Sequence, residues 1–89
     1  MAQISGNGII TVDGTSLEDG QVYYWLDVCE EPGDLIGEGS IHGSEVMLRK
    51  VKKANRAVLE PETGPRMTLK CEGGKNGVRW VKALRTERW

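Results

Sequence analysis

The first 48 residues contain no lysine and no arginine. Nine acidic residues fall there: Asp13, Glu18, Asp19, Asp27, Glu30, Glu31, Asp34, Glu38 and Glu45. All twelve basic residues of this 89-residue chain lie from Arg49 onward, against Glu60, Glu62, Glu72 and Glu87. The two halves carry formal charges of −9 and +8, which leave the whole chain at −1. Such an asymmetry has two readings. It can be a basic face for an anionic partner, or two halves built to pair with each other or with a second copy.

Other absences narrow the function classes. Two cysteines, Cys29 and Cys71, make no disulfide framework. In a reducing compartment they read as small, half-buried hydrophobes. His42 is the only histidine. Its neighbours Ser40 and Ser44 stand two residues away, which makes no catalytic triad, and the cysteines lack the close spacing of metal ligands. His42 is expected to be a hydrogen-bonded loop residue. No stretch approaches the ~18 apolar residues of a membrane span. Residues 1–6 lack the basic and apolar regions of a signal peptide, so the cytoplasm is the expected location. Gly6-Asn7-Gly8 and Gly73-Gly74 precede no predicted helix and carry no Lys-Ser/Thr pair, so neither reads as a phosphate loop. The sequence therefore predicts no catalytic residue, no metal, no cofactor and no membrane partner.

What is present is β grammar. Twelve glycines separate short apolar runs. Strands are predicted at 3–12, 21–30 and 35–42, then at 57–60, 66–72 and 77–84. Residues 13–20 read as an eight-residue connection with an Asp-Gly turn signal at each end. The strand at 21–30 is the strongest, being rich in β-branched and aromatic residues. Between the third and fourth strands the period changes. Met47, Leu48, Val51 and Ala54 form one apolar stripe of a short helix over 43–54, with Ser44 as N-cap, Glu45 in the first turn and cations in the last turns. About three helical turns need a sheet to cover.

Connections this short favour antiparallel neighbours. The expected fold is a single mainly β domain over 1–89: a small antiparallel barrel or strongly bent sheet of about six strands, with 85–89 a frayed tail. The helix lies where an OB-fold keeps its helix, an analogy of element order without a motif. A six-stranded roll or sandwich is the alternative. Strand parity predicts a core of Ile10, Val12, Val22, Tyr24, Leu26, Val28, Met47, Val51, Leu59, Met67, Leu69, Val78 and Trp80. It also turns Cys71 inward and Cys29 the other way.

Two surface features carry functional alternatives. Arg49, Lys50, Lys52, Lys53 and Arg56 crowd one short segment, and Lys70 and Arg79 extend the positive character into the last two strands. They form either a phosphate-contacting patch or the solvated back of an amphipathic helix. Tyr23 and Trp25 share one strand face. They are either a platform on which bases stack, or one covered side of a central strand lying beneath the helix. Asp27 on the same face speaks against nucleic acid. The expected function is a non-enzymatic protein-interaction or assembly module with bipolar charge, its partner another protein or a second copy. The alternative is an OB-like single-stranded nucleic-acid binder.

Overall fold

The computed structural model describes residues 2–28, 35–64 and 66–85. Three strands come first: β1 (Gln3–Val12), β2 (Thr15–Val28) and β3 (Leu35–His42). The helix α1 (Glu45–Lys53) follows, then β4 (Ala57–Pro61), β5 (Met67–Gly73) and β6 (Val78–Arg85). All neighbouring pairs are antiparallel, and the sheet closes into a barrel in the order β1-β2-β3-β6-β5-β4. The barrel is thus two three-stranded meanders joined along two seams, β1 with β4 and β3 with β6. The helix stands where the OB-fold analogy puts it. Six strands, against the five of an OB-fold, and full closure set this barrel apart. No described helix is long and apolar enough to cross a membrane.

The first turn is tighter than residues 13–20 suggest. Asp13 and Gly14 both take positive φ, 48° and 86°, as a two-residue type I′ hairpin requires, and β2 already begins at Thr15. Asp13 is then tied to the chain entering β4. Its N–H donates to the Arg56 carbonyl at 2.8 Å, and its side chain accepts from the Arg56 N–H at 2.9 Å. Asn76 and Gly77, at φ 57° and 83°, turn the chain into β6.

The helix starts as its sequence signals predict. Ser44 is the N-cap, its hydroxyl accepting from the Met47 N–H. Met47, Leu48 and Val51 are buried in the same cluster as Ile10, Val22, Tyr24, Leu26, Ile41, Leu59, Met67, Leu69, Val81 and Ala83. The helix therefore shares the inward faces of the strands. It does not lie over Tyr23 and Trp25, so the covered-strand reading of that face is corrected.

Most predicted core residues are buried, but the phase of β6 is reversed. Arg79, Val81 and Ala83 are buried, whereas Trp80 is 56% exposed and Val78 and Leu84 are partly exposed. Charge does not decide the phase from sequence: the parity of Trp80 carries Lys82, and the buried parity carries Arg79, whose charge is met by Glu45. Val12 is partly buried against the core, and Val28 is also intermediate. Cys71 is a free, partly exposed thiol that keeps the inward parity of Met67 and Leu69: it pairs with the buried Val81, and the register shift of β5 against β6 comes only after it. Cys29 and 86–89 of the expected frayed tail lie outside the described residues.

Candidate functional site

Closing the barrel gives the outward parity of β2, β3 and β6 a common surface. Cross-strand pairing sets residues of this surface in rows. Ser5, Trp25, Ser40, Trp80 and Gly73 form one row. Asn7, Tyr23, His42 and Val78 form the next row on one side. Gln3, Asp27, Glu38, Lys82 and Lys70 form the row on the other side. Trp25 and Trp80 both pair with Ser40, so they stand two strands apart, roughly 10 Å at the backbone. Ser40 between them is only 5% exposed although it lies on the outer parity. Its hydroxyl hydrogen-bonds His42 Nε2 at 3.0 Å, and the His42 ring meets Tyr23 edge-on with centroids 6.3 Å apart. Tyr23 is 47% exposed.

Two depressions flank this aromatic band. One, ≈ 600 Å³, runs beside Tyr23 over β1 to Ile9, Glu60, Pro61 and Glu62. The other, ≈ 250 Å³, is walled by Trp25, Trp80, Asp27, Glu38 and Glu72 over a floor of Gly39 and Val81. Among the described residues no lysine or arginine lines the first, although Arg66 pairs with its Glu60 at 2.8 Å. Beside the second, Lys82 pairs with Glu72 at 3.4 Å, and Gln3 donates to Asp27 at 3.1 Å. The aromatic face is therefore rimmed mainly by carboxylates.

The predicted basic residues do not form one patch. Arg49 folds back on Glu45, its Nε 3.1 Å from the carboxylate. Lys50 stands beside Ser16, Leu17, Glu18 and Asp19. Lys52 and Lys70 line a separate groove of ≈ 350 Å³ with Asn55, Leu69, Cys71 and Leu84. Lys53 is exposed at the end of the helix, and Arg56 is held through its backbone by Asp13. Among the described residues, Lys50, Lys52, Lys53 and Lys70 make no ion pair.

Arg79 leaves the group altogether. Its residue is 4% exposed, and both terminal nitrogens are occupied by Glu45, at 3.0 and 2.7 Å. Glu45 accepts a further bond from the Gly77 N–H at 2.9 Å. These bonds, Arg79 first and the Gly77 amide second, hold the Glu45 carboxyl well below its usual range, at about 2. The ion pair fastens the first turn of α1 to the start of β6. The buried Arg79 Nε has no hydrogen-bond partner. Arg79 is thus a structural anchor, and it is not available to an external anion.

Sequence reasoning found Tyr23 and Trp25 but missed Trp80, which it placed in the core. It had no signal for the Glu45–Arg79 pair, because the two residues are 34 positions apart and belong to no motif. Comparison of this chain with protein families, with curated proteins and with solved structures finds no match.

Proposed function

We propose that this barrel is a non-enzymatic protein-interaction module of the cytoplasm that docks its partner on the outer face of β2, β3 and β6. The observation that carries this reading is the open aromatic band. Tyr23 and Trp80 remain 47% and 56% exposed, and Trp25 is partly exposed in the same band. Large aromatics that stay in water on one contiguous face mark interaction surfaces, since tyrosine and tryptophan supply broad contact area at low conformational cost. Closure shapes the mode of docking. Where the aromatic rows lie, β2, β3 and β6 are each paired on both sides, so this face offers no open edge for strand addition. A partner is then read by side chains and not by a backbone ladder.

The nucleic-acid reading draws on the unpaired Lys50, Lys52, Lys53 and Lys70. These cations stand apart from the depression between the indoles, whose rim carries Asp27, Glu38 and Glu72. A stacked base would bring its phosphates towards carboxylates, so the interaction module is favoured.

The test is site-specific photo-crosslinking. With p-benzoylphenylalanine in place of Trp80, a defined adduct with a cellular protein is expected, and Tyr23→Ala should abolish it. The same probe in place of Lys53 should give no such adduct. Equal capture from both positions would show mere stickiness and defeat the reading. Anisotropy of a labelled single-stranded oligonucleotide, at about 50 mM and about 200 mM salt, tests the other reading, which requires binding that weakens steeply with salt.

A further inference from the structure

Resting on that reading, we propose that the depression between Trp25 and Trp80 receives an arginine side chain of the partner. Its walls combine two indoles with three carboxylates, Asp27, Glu38 and Glu72. An indole face attracts a cation within roughly 6 Å of the ring centroid, and arginine adds planar stacking to its charge. The spacing suits such a guest. Trp25 and Asp27 are two residues apart on one strand, roughly 7 Å, so a guanidinium between them reaches both. Trp80 and Lys82 stand in the same relation on β6, with Glu38 pairing opposite Lys82.

Charge complementarity names the guest's sign. Three carboxylates line the depression and one resident cation, Lys82, neighbours it, itself shared with Glu72. Asp27 and Glu38 have no ion pair among the described residues. Lys70, next in the row after Lys82, lines the separate groove beneath the helix end. The floor contributes shape. Gly39 and Val81 pair with each other on the inward parity, so the floor carries no outward side chain. The guanidinium fork can take two carboxylate oxygens at once, which an ammonium group cannot do in one plane.

The probe is a fluorescein-labelled hexa-arginine peptide, titrated by anisotropy against the full chain at low salt. Binding is expected, weakened about fivefold or more by Trp80→Ala and by Glu38→Gln, the scale of one lost cation–π or charged contact. Glu18→Gln, an acid away from the depression, should change it less than about twofold. Hexa-lysine of equal charge should bind several-fold less tightly. Retained thermal melting of Trp80→Ala and Glu38→Gln excludes unfolding as the cause. No binding overturns the proposal, as does equal weakening by Glu18→Gln or equal affinity for hexa-lysine. So does tighter binding of a single-stranded oligonucleotide that Trp80→Ala abolishes. If hexa-arginine fails while the Trp80 photo-adduct persists, the arginine guest falls and the interaction face stands. If both fail, both fall.

Discussion

Leu26 and Trp80 show how little residue type decides by itself. Leu26 has no exposed surface, and truncation to alanine is expected to cost about 2–5 kcal/mol in a denaturant titration, through lost burial plus a cavity. Trp80 is larger, but it is 56% exposed. Trp80→Ala should cost about 1 kcal/mol or less in the same titration while removing the proposed docking. Glu45 gives a pH signature. Its folded pKa of about 2 lies below the ordinary 4.5, so its contribution is complete above pH 4.5 and disappears as pH falls towards 2. The gap in melting temperature between the native chain and Glu45→Gln should therefore be widest near neutrality and close in strong acid. A gap that does not change with pH would refute the anchoring role. Arg79 was legible as a cation but not as a buried one, because burial depends on a partner brought by the fold.

Among the elements, those with strong local signals were the most legible. The helix began at its Ser44 cap, and β3 matched its predicted span, because capping and alternation act over a few residues. The phase of β6 was not legible from its apolar residues. Val78, Trp80 and Leu84 are the bulky choice for a core face, but the inward positions went to Arg79, Val81 and Ala83. In β5 alternation held through Cys71, and the register shift that follows, between Cys71 and Gly73, has no unique sequence mark. Glycines in β3 explain how closely that strand approaches its neighbour. A Cβ on Gly39 would collide with the β2 backbone at Trp25 and 2.9 Å from the Leu26 Cα. Gly39→Ala is expected to destabilise the barrel by about 1–3 kcal/mol, read as a lowered denaturant midpoint. An unchanged midpoint would mean that the two strands can separate there without loss.

At the scale of the whole molecule, the charge asymmetry becomes spatial. The acidic strands β1 to β3 form one half of the barrel, and the more basic β4 to β6 form the other. Its stabilising role is smaller than the sequence suggests. The pairs Arg66–Glu60 and Lys82–Glu72 both lie within the basic half, and among the described ion pairs only Glu45, with Arg79 and Arg49, joins the two halves. Exposed pairs are worth roughly 0.2–1 kcal/mol each. Raising salt from about 0.05 to about 1 M should therefore move the denaturant midpoint little, while it weakens partner docking through the carboxylate rim. The candidate face was only half legible for a related reason: Tyr23 and Trp25 sit on one strand, but Trp80 arrives from a strand more than fifty residues later across a seam. The same two seams join the meanders in addition to the covalent path between them. That path is residues 43–56, most of them in α1, and Asn55 in that connection is exposed. A chain opened at Asn55 would yield two fragments of opposite formal sign, each carrying one lip of both seams. Such fragments have the geometry to find each other and rebuild the barrel, so the molecule is in effect a heterodimer written on a single chain.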